Sequence, residues 1–126
     1  MPKITIALDF DGTCVEHRYP YIGKEATDCV ATLKNWVNEH DVGLILSTMR
    51  CGEELKEAVQ WFKNRDIKLY GIQEHPTQRK WTTSPKCHAT LSIDDRNVGC
   101  PLKLDSEKKH LVVDWKKIKP MVEKYF

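Results

Sequence analysis

The feature that most constrains the fold of this chain is an apolar run ending in two aspartates, Ile4-Thr5-Ile6-Ala7-Leu8-Asp9-Phe10-Asp11-Gly12-Thr13. Its first five residues carry no charge and predict a buried strand of the kind found in parallel sheets. Side chains two residues apart on an extended segment point the same way, so Asp9 and Asp11 should face one site while Phe10 turns inward. An Asp-Gly hairpin turn is the alternative, and it explains Gly12 and one aspartate but not the pair.

Helical and strand patterns alternate along the rest of the chain. Apolar residues recur at helical spacing over residues 24–39 and 52–64, which predicts two amphipathic helices. Alternating strands and helices favour a parallel sheet with right-handed crossovers. We therefore predict an α/β fold with a Rossmann-like, doubly wound parallel sheet, in a single domain over residues 1–126. The four predicted strands span residues 3–8, 42–46, 67–72 and 89–93.

The last part of the chain predicts a short fifth strand over residues 111–113 and a closing helix from Trp115 to Tyr125. Pro120 should kink that helix or mark its true start. Lysines in this region alternate with acidic residues, and that pattern is typical of a solvated surface.

Composition excludes several classes of function. The chain has 126 residues, 40% of them hydrophobic, which suits one core. A net charge of +2 provides no general field for nucleic acid or membranes. The five cysteines are odd in number and lack CxxC spacing, which argues against a disulfide framework or a zinc site. With no signal-peptide pattern and no apolar run long enough to span a bilayer, we expect a soluble, cytoplasmic protein.

Reactive side chains follow the predicted strands at the edge where parallel sheets bind ligands. Ser47-Thr48-Met49-Arg50 follows the second strand, and Asp94-Asp95-Arg96 follows the fourth. Lys86 precedes the fourth strand. Together with Asp9 and Asp11, these residues supply the carboxylates, hydroxyls and cations that metal-assisted phosphoryl transfer requires.

These segments resemble the motifs of the haloacid dehalogenase (HAD) superfamily of phosphohydrolases, in the family's order over roughly residues 3–99. Asp9-Phe10-Asp11-Gly12-Thr13 is similar to its DxDGT motif. Leu91-Ser92-Ile93-Asp94-Asp95 is similar to its fourth motif, a strand that ends in paired acids. The chain looks most like a small, capless group of bacterial and phage members.

Two positions in the resemblance stay open. In the second motif, a strand that ends in Ser or Thr, Thr48 is our choice for the hydroxyl because Thr48-Met49-Arg50 resembles a Thr-x-Arg form, and Ser47 is the alternative. The third motif is a lysine, for which we choose Lys86. Lys80 and Arg79 are the alternatives.

The resemblance implies a role for each residue. Asp9 would attack phosphorus to form an aspartyl-phosphate, and Asp11 would protonate the leaving oxygen and then activate water. Thr48 would donate a hydrogen bond to a phosphoryl oxygen, and Lys86 would neutralise negative charge. Mg²⁺ is the implied cofactor, with Asp9, the backbone carbonyl of Asp11, Asp94 and Asp95 as its ligands. The residues expected to bind the rest of the substrate are Arg50, Arg18, Arg96 and Ser47.

The intervals between the motifs are too short to hold a cap domain, so the resemblance implies an open site. Two segments are candidates to cover it, residues 16–23 and 74–81, and both mix basic and aromatic side chains. The expected partner is a phosphorylated substrate, either a small molecule or a macromolecular end, and a homo-oligomer is one way of covering an open site.

The predicted function is Mg²⁺-dependent phosphomonoester hydrolysis through an aspartyl-phosphate on Asp9, with a nucleotide or a nucleic-acid end phosphate as the first choice of substrate. Asp11 favours this, because HAD dehalogenases lack the second acid and P-type ATPases carry threonine there. A non-catalytic regulatory or binding module on a HAD scaffold is the alternative. Nucleic-acid binding without catalysis would need a basic patch that the net charge does not indicate.

Overall fold

A computed structural model describes residues 1–126, and a four-stranded parallel sheet lies at its centre. The two interior strands, β1 and β2, are buried along their whole length, which explains their almost continuously apolar sequences. This α/β architecture, a parallel sheet flanked by helices, is compatible with a Rossmann-like fold. The strands are β1 (Ile4–Leu8), β2 (Val42–Leu46), β3 (Gly71–Ile72) and β4 (Leu91–Ile93), in the order β3-β2-β1-β4.

The register of the sheet brings the four strand ends to one edge. Leu8 pairs with Leu46 on one side and with Ile93 on the other, and Leu46 pairs with Ile72. Hydrogen bonding continues one residue further, because the Asp9 amide donates to the Ile93 carbonyl at 3.0 Å. The side chains that leave the sheet together at this edge are therefore those of Asp9, Ser47, Gln73 and Asp94.

Two helices connect the first three strands and cover the sheet. α1 (Cys29–Glu39) buries Cys29, Leu33 and Trp36, and α2 (Gly52–Asn64) buries Ala58, Trp61 and Phe62. Phe10, the residue between the two aspartates, is fully buried, as predicted, and its ring packs 5.4 Å from Trp61. None of the helices combines the length and the hydrophobicity needed to cross a membrane.

A hairpin and a helix complete the fold. β5 (Leu102–Leu104) pairs antiparallel with β6 (Leu111–Val113), and α3 (Trp115–Glu123) follows. α3 packs on α1 through Trp115 and Trp36, whose rings lie 5.9 Å apart, and the Trp36 indole donates to Glu123 at 2.9 Å. These residues extend one hydrophobic core cluster from β1 to α3.

The structure differs from the sequence prediction at several element boundaries. α1 begins at Cys29 rather than residue 24, because residues 24–28 run along the loop after β1, where Glu25 bridges Val15. The third strand is two residues long, not six, and the fourth begins at Leu91. β6 was expected, but it pairs with the unpredicted β5 and lies outside the main sheet. α3 begins at Trp115, capped by the Asp114 side chain, so Pro120 does not mark its start.

Arg18 connects the loop after β1 to the hairpin. Its guanidinium donates to the buried Asp105 carboxylate at 2.9 Å and forms an ion pair with Glu107 at 3.0 Å. The Lys109 amide also donates to Asp105, at 3.0 Å. Burial alone would raise the pKa of Asp105, but the hydrogen bonds from Lys109 and Arg18 outweigh it and lower this pKa to about 2.

We predict that replacing Asp105 by asparagine destabilises the protein at neutral pH but much less in acid. The folded pKa, about 2, lies below the value of 3.8 for an unperturbed aspartate. The stabilisation is therefore complete above the unfolded pKa and is lost as pH falls through the folded pKa. Urea denaturation of wild type and Asp105→Asn at pH 7 and at successive pH values below 4 should show the two midpoints converging. Midpoints that stay equally far apart down to pH 2 would contradict this explanation.

Candidate active site

Three carboxylates meet where β1 and β4 end. Asp9, Asp94 and Asp95 each offer an oxygen atom that lies within 4.8 Å of the other two. Thr13 links the two strands here, because its hydroxyl donates to Asp9 Oδ2 at 2.7 Å and accepts the amide of Asp95 at 3.2 Å. The cluster is thus held by backbone and hydroxyl contacts, with no lysine or arginine bound to Asp9.

The environment of Asp9 opposes its ionisation. Burial raises the pKa of Asp9 to about 8, the hydrogen bond from Thr13 counteracts part of that rise, and the negative charges of Asp94 and Asp95 add to it. Burial also raises the pKa of Asp95. A cation bound among the three carboxylates would reverse this balance, because it would favour the charged form of each.

Gly12 permits the close approach of Asp95. Its φ is +82°, in the left-handed region, and a methyl group at this position would overlap the Asp95 carboxylate. The neighbouring backbone is fixed from the hairpin, since the Val113 amide donates to the Gly12 carbonyl at 3.0 Å. The Trp115 indole donates to the Thr13 carbonyl at 2.8 Å and fixes the next residue.

Asp11 is paired with an arginine. Arg50 donates from Nε to Asp11 Oδ2 at 2.7 Å and from Nη2 to Oδ1 at 2.8 Å, a bidentate ion pair. Only 1% of the Arg50 side chain is exposed, compared with 12% of that of Asp11. The guanidinium carbon lies 5.2 Å from the Phe10 ring centroid and 5.1 Å from that of Tyr19. The Arg50 side chain is therefore buried and held by contacts within the protein.

Thr48 is held at the edge of the site by a glutamine from the neighbouring strand end. Gln73 accepts the Thr48 amide at 2.9 Å and donates to the carbonyls of Thr48 and Arg50 at 2.7 and 3.2 Å. The Thr48 hydroxyl accepts the Arg50 amide at 3.1 Å, which leaves its own proton available to a ligand. Gln73 adopts a left-handed φ of +66° to make these contacts.

The carboxylates open into a cavity of about 610 Å³. The loop after β1 contributes two residues to its rim, His17 and Tyr19, and Tyr19 is half exposed. Met49 at the rim is almost fully exposed. The structure thus brings seven of the predicted site residues to one cavity, namely Asp9, Asp11, Thr48, Arg50, Asp94, Asp95 and Arg96.

Three predicted site residues do not line this cavity. Arg18 was expected to bind substrate, but its ion pairs with Asp105 and Glu107 direct it to the hairpin. Ser47 was the alternative hydroxyl and a predicted substrate ligand; its amide continues the sheet by donating to Leu8, and Thr48 takes the place at the cavity. Lys86 is exposed in the loop before β4, and its backbone contacts Ser84 and Gln78.

The alternatives to Lys86 lie outside the cavity as well. Arg79 forms an exposed ion pair with Glu74 at 2.8 Å, and Lys80 belongs to the exposed end of a short 3-10 helix, Gln78–Lys80. The cations at the cavity are two arginines. Arg50 is fully engaged with protein atoms, whereas the exposed Arg96 side chain has no hydrogen bond or ion pair.

Sequence reasoning missed contacts that shape this site. Thr13 belongs to the first motif, but its hydrogen bond to Asp9 was not predicted. Its position four residues after this strand-end carboxylate is the signal that could have indicated the contact. Gln73 could have been found as the polar residue directly after the third strand. The pairing of Arg50 with Asp11 had no signal in the sequence, because 39 residues separate them.

A solved structure is similar to the chain over almost its whole length. It is that of a conserved protein from Bacteroides thetaiotaomicron, with 40% sequence identity and a TM-score of 0.78 over 98% of this chain and 92% of that one. The chain belongs to the same family as this Bacteroides protein. No protein-family model and no curated protein matches it.

We predict that Gly12→Ala disturbs the carboxylate cluster, in addition to the loss of stability that a left-handed φ causes for any alanine. Gly99 is the matched control, because its φ is +87° and a methyl group there would meet nothing within 4 Å. Gly99→Ala should cost about 1 kcal/mol of stability from the left-handed backbone alone. Gly12→Ala should cost more. It should also abolish the rise in melting temperature that we expect when Mg²⁺ binds to the three carboxylates. Chemical denaturation and thermal shift measure both effects, and equal behaviour of the two variants would contradict the prediction.

We also predict that Mg²⁺ stabilises the protein more at pH 8 than at pH 6. Because the pKa of Asp9 is about 8, the metal-free cluster holds a proton at pH 6 that a cation must displace. Displacing one proton lowers the apparent affinity by about tenfold per pH unit below the pKa. The measurement is the Mg²⁺ concentration that gives half of the maximal thermal shift at each pH. Asp9→Asn should remove the pH dependence. A thermal shift of the same size and midpoint at both pH values would contradict the displacement of a proton from Asp9 by the cation.

Proposed function

We propose that this protein is a capless HAD-type phosphatase that hydrolyses phosphomonoesters with Mg²⁺ through an aspartyl-phosphate on Asp9. The observation that carries the proposal is the cluster at the strand ends, where Asp9, Asp94 and Asp95 each offer an oxygen atom within 4.8 Å of the other two. Asp11 and Thr48 line the same cavity. The resemblance of the surrounding motifs to those of HAD enzymes supports it, since each of these residues occupies its motif position.

The residues present fit a magnesium ion. Carboxylate oxygens are hard donors of the type that Mg²⁺ prefers, and a small oxygen cage next to an open cavity leaves room for water and a phosphate. Asp9, Asp94 and Asp95 would hold the ion with their side chains, and the Asp11 side chain is engaged with Arg50, so Asp11 would contribute its backbone carbonyl. When bound, the ion supplies positive charge that offsets the repulsion between the carboxylates and the phosphate.

Asp9 and Asp11 divide the chemistry. An Asp9 carboxylate oxygen forms a bond to phosphorus while the bond from phosphorus to the leaving oxygen breaks. Asp11 enters this step in its protonated form, gives its proton to the leaving oxygen and becomes a carboxylate. In the second step a water molecule attacks the aspartyl-phosphate, Asp11 accepts a proton from the water, and inorganic phosphate and the Asp9 carboxylate are released. The hydrogen bond from Thr13 to Asp9 Oδ2 leaves Oδ1 as the oxygen that is free to attack.

Thr48 and Arg96 are the groups available to bind the phosphoryl oxygens. Thr48 keeps a free hydroxyl proton, and Arg96 is the cavity cation without a partner in the protein. The family resemblance implies a lysine in this role, but no lysine lines the cavity. Arg96 therefore takes the charge-neutralising role first assigned to Lys86, and its planar guanidinium suits a phosphate.

The rim favours a substrate with a flat group beyond the phosphate. Tyr19, His17 and Met49 lie at the cavity, and such side chains can stack on a base or contact a sugar. A nucleotide or a nucleic-acid end phosphate is therefore the first substrate class to test. The open cavity also suits a macromolecular end, or a site that a second copy of the chain covers.

The test is phosphate release from p-nitrophenyl phosphate by wild type, with Mg²⁺ and with EDTA, compared with Asp9→Asn. Asp9→Asn should lose about 10³-fold or more of kcat, because no carboxylate remains to attack phosphorus. Asp41→Asn is the control, since it removes the same charge from an exposed aspartate away from the cavity. Mass spectrometry of acid-quenched wild type should find a phosphoryl group on the Asp9 peptide.

Wild-type activity that survives in Asp9→Asn or in EDTA would contradict this mechanism. Metal-dependent stabilisation without hydrolysis of p-nitrophenyl phosphate, nucleotides, nucleic-acid ends, sugar phosphates or phosphoproteins would favour the non-catalytic module on a HAD scaffold. The same panel ranks the substrate classes if wild type is active.

A further inference from the structure

Arg50 was expected to contact substrate, and its surroundings assign it a different task. A guanidinium has five N–H donors, and all five are used inside the protein. Two go to the Asp11 carboxylate at 2.7 and 2.8 Å. Nη2 also donates to the Tyr21 carbonyl at 3.0 Å, and Nη1 donates to the carbonyls of Pro20 and Glu54 at 3.3 Å each. No donor remains for a ligand.

These contacts connect Asp11 to the loop after β1 and to the first turn of α2. Pro20 and Tyr21 belong to the loop after β1, which supplies the cavity rim, and Glu54 lies in the first turn of α2. Packing between the rings of Phe10 and Tyr19 fixes the plane of the guanidinium. The Arg50 guanidinium thus sets the orientation of the Asp11 carboxylate, and hydrogen bonds and ring contacts fix the guanidinium itself.

We propose that Arg50 is a positioning residue that orients Asp11 for proton transfer to the leaving group and fixes the rim loop beside it, without touching the substrate. This inference rests on the proposed phosphatase function and deepens it. A lysine keeps the charge but offers a compact ammonium, which cannot bind both carboxylate oxygens in one plane while donating to three carbonyls. Proton transfer depends on placement to within a fraction of an ångström, so the loss should fall on that step.

Two esters of similar size separate proton transfer from the other steps. The p-nitrophenolate leaving group departs as a stable anion. The benzyloxy oxygen of benzyl phosphate is far more basic and must receive a proton as its bond to phosphorus breaks, which releases benzyl alcohol. The quantity to compare is kcat/KM, which covers steps up to the departure of the leaving group. Asp11→Asn, which removes the acid itself, should lower kcat/KM for benzyl phosphate much more than for p-nitrophenyl phosphate.

Arg50→Lys should show the same selectivity. We expect its loss of kcat/KM on benzyl phosphate to exceed its loss on p-nitrophenyl phosphate by about tenfold or more. In an Asp11→Asn background the same substitution should add no further selectivity, because the group through which Arg50 acts is gone. Arg65→Lys is the matched control, since Arg65 stacks on Trp61 outside the cavity. It should leave both esters unaffected.

The outcomes distinguish the positioning role from the function on which it rests. Equal losses on both esters, or a selective loss that persists in the Asp11→Asn background, would overturn the positioning role while leaving the phosphatase intact. A wild type that hydrolyses neither ester, nor any of the other phosphates, would overturn both. If Arg50→Lys fails to fold, Arg50→Ala with added guanidinium ion replaces it, and selective recovery of benzyl phosphate hydrolysis is then the expected result.

Discussion

Repulsion between carboxylates is the constraint that the rest of this structure must satisfy. Asp9, Asp94 and Asp95 lie within 4.8 Å of one another because the register of β1 and β4 ends both strands at the same level. No lysine or arginine forms an ion pair with these three carboxylates, although the charge of Arg96 favours the ionised form of Asp95. Gly12 allows the approach and Thr13 ties the strands together, so the sheet holds the three carboxylates close despite their mutual repulsion. Such a cluster is open to a cation from solution.

The two aspartates of the first motif have contrasting electrostatic surroundings. Asp9 is surrounded by burial and negative charge, which raise its pKa, and its single polar support is a hydroxyl. Asp11, two residues later, is held by both arms of an arginine. Two carboxylates with different surroundings can take different roles, one as a nucleophile that depends on an added cation and the other as a fixed proton carrier. The buried Phe10 between them separates these two environments.

The sequence predicts the sheet edge well because its signals are local. Apolar runs such as Val42–Leu46 followed by polar residues identify strand ends, and parallel pairing then brings Asp9, Thr48 and Asp94 together. The sequence does not indicate the ion pairs whose partners lie far apart along the chain. Arg18 binds Asp105, 87 residues away, and Arg50 binds Asp11. An arginine or lysine near a motif has several acidic residues with which it can pair, and its actual partner depends on the tertiary packing.

The segment beyond residue 100 belongs to the same unit as the site, although no site motif lies in it. Val113 and Trp115 donate to the carbonyls of Gly12 and Thr13 from behind, and Asp105 holds the rim loop through Arg18. Val112, Val113 and Trp115 are also part of the main core cluster. The hairpin and α3 therefore hold the loop after β1 in place, and the sheet holds the strand ends in place. Motifs over residues 3–99 predict the candidate reactive groups, while the geometry of those groups also depends on contacts from the segment beyond residue 100.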